Sequence, residues 1–451
     1  MSRLASRARI RSFIASLGPG LITGAADDDP SGISTYSVAG ASFGFTQLWL
    51  ALFSFPLMAA VQLMCARLGM VTGRGLAGVI RRRYSPVVLW VACTLLIVAN
   101  IFNIAADLTG MAEATELMTG VDSRLLVVVY AAVIAGFLLF SSYRTIARIF
   151  RWLTLVLFAY VICAFVVDPP WAEVLRATFV PHFTWSQEYV ATIVALLGTT
   201  ISPYLFFWQA SQEVEEEKTK GRTNLRARQG ATPAELRGAR TDVLTGMLFS
   251  NLVMYFIILT TAATLHAHGQ THITTAKQAA EALRPFAGDA AYLLFTLGIV
   301  GTGMLGVPVL AGACAYAVAE ASAWRGSLDE LPNRAGRFYA VVCVAMLLGL
   351  GFTFGGFNGV AMLFWSAVVN GMLAPPLIVL VVLLTSDPRV MGQRVNSPLL
   401  RRLGWTAALV MSGAVVALLA TNVQLIDAFV RALCVSRPTA DAPIVCACCS
   451  Q

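Results

Sequence analysis

Charge is scarce in this chain. Asp, Glu, Lys and Arg make up 12% of its 451 residues, against 57% hydrophobic residues. Soluble proteins carry about 25% charged residues, so so few charges cannot cover a water-exposed fold, and long apolar runs between short charged clusters suit a bundle solvated by lipid. Histidine is scarcer still: His182, His266, His268 and His272 are the complete set, and all four fall in expected outward loops. A relay or base built on histidine at membrane depth is thereby excluded. The nine cysteines offer little. Cys65, Cys93, Cys163, Cys314 and Cys343 stand singly in apolar segments, as small buried hydrophobes do. Cys434, Cys446, Cys448 and Cys449 form a tail with C-x-C-C spacing but without the partners of a metal site. No short-period repeat and no soluble domain is visible. Arg3, Arg7, Arg9 and Arg11 precede a short apolar stretch, but Gly18-Pro19-Gly20 and Asp27-Asp28-Asp29 follow, which is poor cleavage-site chemistry, and the segment is expected to stay in the mature protein.

What is present is an all-α polytopic membrane pattern. Apolar segments of spanning length fall near residues 12–43, 44–71, 86–118, 125–141, 150–167, 189–211, 242–264, 290–319, 338–355, 358–384 and 405–430, which gives eleven expected transmembrane helices. Counting alternate connections puts 25 of the 32 Lys and Arg residues on one side. Positive charge resists translocation, so that side is expected to be cytoplasmic, with the N-terminus inside and the C-terminus outside a cell (inner) membrane. The net charge of +8 therefore speaks to topology and not to nucleic acid. The polar insertion 213–241, opening on Glu213, Glu215, Glu216 and Glu217, is expected to be a solvated cytoplasmic loop.

Two spans are interrupted at membrane depth: Pro30 beside Gly32 in the first, and Ser202-Pro203 in the sixth. Five helices separate them, so the two halves run in opposite directions, the trace of an inverted-repeat transporter with two broken helices. Three successive carboxylates, Asp27, Asp28 and Asp29, cost several kcal/mol each in an apolar span unless they face water or a cation. Pro30 removes a backbone donor and disfavours helix before it, which frees carbonyls near Ala26. At the second break Thr199, Thr200, Ser202 and Tyr204 supply hydroxyls, and Asn370 brings an amide in the tenth span. Every candidate ligand is an oxygen, which suits Mg²⁺, Mn²⁺ or Ca²⁺. Asp107, alone in the third span, is a functional candidate. Asn100 and Asn103, three apart on the same helix, fit either interhelical hydrogen bonding or a water path.

Gly18-Pro19-Gly20, Asp29-Pro30-Ser31-Gly32 and Gly40-Ala41-Ser42-Phe43-Gly44 resemble the first helix of the Nramp divalent-metal transporters. The resemblance continues in Thr72-Gly73-Arg74-Gly75-Leu76-Ala77, in Trp171-Ala172-Glu173-Val174-Leu175-Arg176, and in Met391-Gly392 with Asn396, so it covers nearly the whole chain. It implies the LeuT-like fold, with a first five-helix repeat over about 12–167, an inverted second repeat over about 189–384, an extra helix over about 405–430, and the metal between broken helices 1 and 6. It also implies Asp29 as the metal-binding aspartate and Ala26 and Thr199 as carbonyl ligands, while Asp27, Asp28, Ser202, Tyr204 and Asn370 stay candidates on the residues' own chemistry. The family's asparagine is Gly32 here, its helix-six methionine is Ser202, its two helix-six histidines are Tyr204 and Gln209, and of its helix-three acidic pair one position is Ile104 and the other Asp107. Loss of the thioether weakens selection against hard ions and is similar to the Nramp-related magnesium transporter branch. With Asp107, Asn103 and Gln209 as the remaining proton or water path, uptake of Mg²⁺ or Mn²⁺ is expected to be weakly or not proton-coupled.

Other readings stay open at this level. One is a proton-coupled Mn²⁺/Fe²⁺ symporter. Another is an organic-cation transporter using Phe206, Phe207 and Trp208 as a cation–π surface, and a third is a metal sensor without flux. Gly40-Ala41-Ser42-Phe43-Gly44 also matches G-x-S-x-G, but it lies in a helix with no histidine base, so no enzyme is expected. The expected partners are divalent ions and the lipid bilayer, with no nucleic acid, no obligate protein partner and no cofactor beyond the transported ion.

Overall fold

The computed structural model describes residues 18–140, 153–355 and 358–421. Its long helices are α1 (Pro19–Asp27), α2 (Pro30–Phe43), α3 (Trp49–Thr72), α4 (Leu76–Arg83), α5 (Pro86–Thr119), α6 (Ser123–Phe140), α7 (Phe158–Val166), α8 (Trp171–Phe179), α9 (Gln187–Thr200), α10 (Pro203–Thr219), α11 (Pro233–Thr264), α12 (Ala291–Ala321), α13 (Gly336–Thr353), α14 (Gly359–Ser386) and α15 (Pro398–Thr421). Among the described residues nine segments are long and apolar enough to cross a membrane. The broken pair α1–α2 and the short apolar helix at 155–166 account for the other two expected spans. The tail cysteines, the basic N-terminus and the end of the last expected span lie outside the described residues.

Helix starts follow local chemistry. Pro occupies the first turn of α1, α2, α5, α10 and α11, where its missing N–H is no loss. Thr232 and Glu235 form a reciprocal capping box at the start of α11. The most apolar stretch of the broken sixth span, α9 plus α10, is wholly buried, whereas only a minor share of the residues in the corresponding stretches of α6 and α15 is buried. The outer helices thus meet lipid while the interrupted ones are shielded, as irregular backbone at membrane depth requires.

The two interruptions share one backbone pattern. Asp28 has φ −85°, ψ 51° and Asp29 φ −69°, ψ 172° ahead of Pro30. Ile201 has φ −115°, ψ 55° and Ser202 φ −73°, ψ 129° ahead of Pro203. In each case the proline forces extended backbone on the residue before it and then starts the next helix.

The half-helix α1 is gripped by α11. The Asp242 carboxylate on α11 accepts the backbone N–H groups of Gly18, Gly20 and Leu21, at 2.8, 2.7 and 3.1 Å. This satisfies free donors at the α1 N-terminus and sets a negative charge on its positive end. One turn further along, Gly24 meets the backbone of Gly246 so closely that a methyl group on either would collide with main-chain atoms.

The polar insertion departs from expectation at its start, while most of residues 219–238 is exposed as expected. Residues 213–219 continue α10, and Glu213, Glu215 and Glu217 are buried. Gln209 donates to Glu213 at 2.9 Å, Ser327 and Lys218 serve Glu215, and Arg222 pairs with Glu217. The acidic run is a buried, partnered helix end because each carboxylate finds its own donor; only Glu216 in it is substantially exposed, at 39%.

Candidate functional site

The two breaks face each other in the middle of the bundle. Asp29 is the N-cap of α2, where its Oδ1 accepts the Ser31 hydroxyl at 2.7 Å and the Gly32 N–H at 2.8 Å. That use of Oδ1 fixes the rotamer and turns Oδ2 toward the other broken helix, where the Tyr204 hydroxyl stands 3.3 Å away. The same hydroxyl donates to the Ala26 carbonyl at 3.0 Å. Ala26 is at the C-terminal end of α1, where the last carbonyls lack helical partners. Three oxygens from both breaks therefore meet.

Gly306 of α12 completes one wall. A methyl group on it would lie 3.1 Å from Asp29 Cβ, 3.8 Å from Asp107 Oδ2 and 4.0 Å from the Ala26 carbonyl oxygen. Asp107 of α5 thus sits beside Asp29, and neither of its carboxylate oxygens has a hydrogen-bond partner among the described residues. Relative exposure is 2% for Asp29 and 0% for Asp107. Two carboxylates this deep, with no Lys, Arg or His ion-paired to them among the described residues, require a cation or protons.

The remaining expected residues divide. Ser202 Oγ donates back into α9, reaching the Thr199 carbonyl at 2.6 Å and the Gly198 carbonyl at 2.9 Å. Its hydroxyl therefore holds the Thr199 carbonyl, while Thr199 Oγ1 bonds the Leu196 carbonyl at 3.0 Å. Asn370 is buried on α14 with Oδ1 unpartnered, next to Gly371, whose backbone abuts Gly198 of α9. Asp27 and Asp28 turn to α11 and share one hydroxyl: Ser250 Oγ is 2.6 Å from Asp27 Oδ2 and 3.2 Å from Asp28 Oδ1. Gln209 lies in a separate chain, its Oε1 accepting from Thr23 at 2.6 Å and its Nε2 bonding Glu213. Of the two α5 amides, Asn100 donates to the Leu310 carbonyl at 2.8 Å and so ties α5 to α12, whereas Asn103 is buried and unpartnered.

Other candidates take structural places. His266 Nδ1 lies 2.7 Å from the Ala41 carbonyl and His268 Nδ1 2.5 Å from that of Thr264. Among the described residues no group of three His, Cys, Asp or Glu side chains is arranged to hold a metal. Trp208 stands edge-on to Tyr316, ring centroids 6.1 Å apart, and packs over Gly312. Gly306, Ser250 and Tyr36 were not among the sequence candidates. A signal for the first existed in Gly301-Thr302-Gly303-Met304-Leu305-Gly306, since repeated glycine inside a helix marks close approach.

A family model described as Nramp, natural resistance-associated macrophage protein-like, matches residues 20–421. A protein of Bradyrhizobium diazoefficiens named divalent metal cation transporter MntH is 29% identical over 418 residues, covering 88% of this chain and 87% of its own. One of the same name from Klebsiella pneumoniae subsp. pneumoniae is 28% identical over 430 residues, covering 90% and 94%. Among solved structures, the Eremococcus coleocola manganese transporter superposes with TM-score 0.73 at 18% identity, over 93% of this chain and 88% of that one. Mhp1, a nucleobase-cation-symport-1 family transporter in a closed conformation, gives TM-score 0.54 at 15% identity, over 90% and 93%.

Proposed function

We propose, since the chain belongs to the Nramp family of membrane transporters, that it carries divalent metal cations into the cytoplasm by alternating access, with Mg²⁺ and Mn²⁺ both accepted and no obligatory proton. The observation that carries this reading is the meeting of Asp29 Oδ2, the Ala26 carbonyl and the Tyr204 hydroxyl between two broken helices, all of them oxygens. Hard oxygen donors with few protein ligands suit a cation that keeps part of its water shell, as Mg²⁺ does. The names of the relatives, divalent metal cation transporter and manganese transporter, support the substrate class.

In this mechanism Asp29 supplies fixed charge that offsets dehydration of the ion. The Ala26 and Thr199 carbonyls, freed at the ends of α1 and α9, add neutral donors, and Tyr204 trades its bond to Ala26 for the cation. Ser202 positions the Thr199 carbonyl, and Asn370 stands ready from α14. The N-terminus is assigned to the cytoplasm and the C-terminus to the outside of an inner membrane, from the excess of Lys and Arg in alternate connections. Two five-helix repeats, about 12–167 and 189–384, account for the matched dihedral pattern at the two breaks.

Moving a double charge through 100 mV, inside negative, is worth about 4.6 kcal/mol, at roughly 2.3 per elementary charge. That favours accumulation by about three orders of magnitude with no proton. A second reading, proton-coupled Mn²⁺/Fe²⁺ symport, is favoured by one feature, the unpartnered Asp107 carboxylate beside Asp29.

The test is flux of Mg²⁺, Mn²⁺ and Ca²⁺ into proteoliposomes at matched potentials, for the wild type and Asp29→Ala. Loss of flux in a folded, inserted Asp29→Ala protein is expected. Wild-type flux in that variant overturns the site.

A further inference from the structure

Asp27, Asp28 and Asp29 are consecutive, yet they serve two different places. Asp29 is the only one of the three that reaches Tyr204. Asp27 and Asp28 point the other way, to α11, and converge on the single hydroxyl of Ser250. One hydroxyl carries one proton, so it cannot donate to both carboxylates. Asp27 Oδ1 and Asp28 Oδ2 have no partner at all, and the two residues are 1% and 0% exposed. Among the described residues neither is ion-paired with Lys, Arg or His.

A separate group faces the same spot. Tyr36, two turns along α2 from the break, is fully buried with its hydroxyl unpartnered. Asp27 and Asp28 lie close enough to act on it, as does Thr199 from the other broken helix. Its Oη and the Asp27 carbonyl oxygen both flank Gly32, at 3.2 and 3.4 Å from where a side chain there would begin. The family's asparagine is missing at this position, and the space is bordered by oxygen. Two buried carboxylates, a serine hydroxyl and a phenol, with no positive side chain, form an environment whose negative charge is offset by protons or by a cation, and its all-oxygen donor set suits a hard cation.

We propose that Asp27, Asp28 and Ser250, with Tyr36 alongside, hold a second divalent cation on the α11 side of the first break, separate from the cation at Asp29. The inference rests on the chain's being a carrier of divalent ions. When both carboxylates are ionised, their paired −2 charge calls for a divalent rather than a monovalent ion, because Na⁺ alone leaves one buried charge uncompensated. The two ions are close, since Asp28 and Asp29 are neighbours with Cα atoms about 3.8 Å apart. Loading one site therefore influences the other electrostatically.

The experiment is Mn²⁺ titration of the purified full-length protein in sodium-free buffer, read by bound-metal stoichiometry and by electron paramagnetic resonance. The wild type is expected to bind two Mn²⁺ per chain, with spectra broadened by spin–spin coupling. The isosteric double variant Asp27→Asn/Asp28→Asn is expected to bind one, with the broadening gone, and Asp29→Asn to keep the other. Ser250→Ala, a milder change, should weaken the second site several-fold while the melting temperature reports an intact fold. A single ion in the wild type, lost in Asp29→Asn and indifferent to Asp27→Asn/Asp28→Asn, overturns the second site and leaves the transport reading standing. Binding unaffected by any of these substitutions overturns both. Occupation by Na⁺ and not by Mn²⁺ overturns the divalent assignment.

Discussion

The Tyr204 hydroxyl donates to the Ala26 carbonyl at 3.0 Å and stands 3.3 Å from Asp29, so one phenol bridges the two broken helices at the oxygens assigned to the cation. A hydroxyl can present either its proton or its lone pairs. It cross-links the breaks in this structure; under the proposed function it rotates its proton away when the cation arrives and becomes a ligand.

Tyr204→Phe should therefore weaken Mg²⁺ and Mn²⁺ binding about three- to tenfold, the equivalent of one hydrogen-bonding partner at about 0.5–1.5 kcal/mol. Asp29→Asn should cost much more. Calorimetric titration of both variants gives the comparison, and unchanged affinity in Tyr204→Phe removes the phenol from the ion's shell.

Ser202 acts through Thr199, so Ser202→Ala should lower affinity modestly and leave the order of ion preference intact. Ser202→Met puts a thioether at the break and should move preference toward Mn²⁺ and Cd²⁺. Competition assays on the three proteins separate these effects. If Ser202→Met keeps the wild-type order, the side chain at 202 does not reach the ion.

The driving force can be tested with a pH-sensitive dye inside proteoliposomes, the potential being clamped by K⁺ and valinomycin. Metal entry without lumenal acidification is the expected result. Acidification that follows metal uptake and vanishes in Asp107→Asn establishes proton symport instead, with Asp107 as the carrier.

Close packing at Gly24 and Gly246 predicts a steric effect. Gly246→Val adds a branched side chain where main-chain atoms of α1 already touch; overpacking of this kind costs about 1–3 kcal/mol, occasionally more. The variant should melt lower and transport poorly, whereas Gly413→Val, on α15 with open space around it, should do neither.

Much of this was legible in the sequence. Pro30 and Pro203 mark both breaks because proline acts on its immediate neighbour whatever the tertiary context, and among the described residues each expected apolar run falls on helix. The division of Asp27, Asp28 and Asp29 was not legible, since the ψ values of Asp28 and Asp29, 51° and 172°, decide which way each side chain leaves the chain. Nor was the burial of Glu213, Glu215 and Glu217, whose partners Gln209, Ser327 and Arg222 include a residue more than a hundred positions away. Composition reads that run as solvated; its donors Gln209, Lys218 and Arg222 are local, but Ser327 and the burial come from tertiary packing.

The hold of Asp242 on α1 bears on how the protein moves. A helix of nine residues fastened at its start by three N–H bonds and seated on α11 without intervening side chains has no independent swing. It behaves as the short arm of a lever whose fulcrum is the Asp28–Asp29 bend. For the N-terminal end of α1 to part from the bundle, either α11 travels with it or Asp242 lets go of all three donors together. Under the proposed transport cycle, opening at this end of α1 is then either a joint movement of α1 and α11 or the loss of three bonds at once, governed by a carboxylate that makes no bond to Asp29, Ala26 or Tyr204.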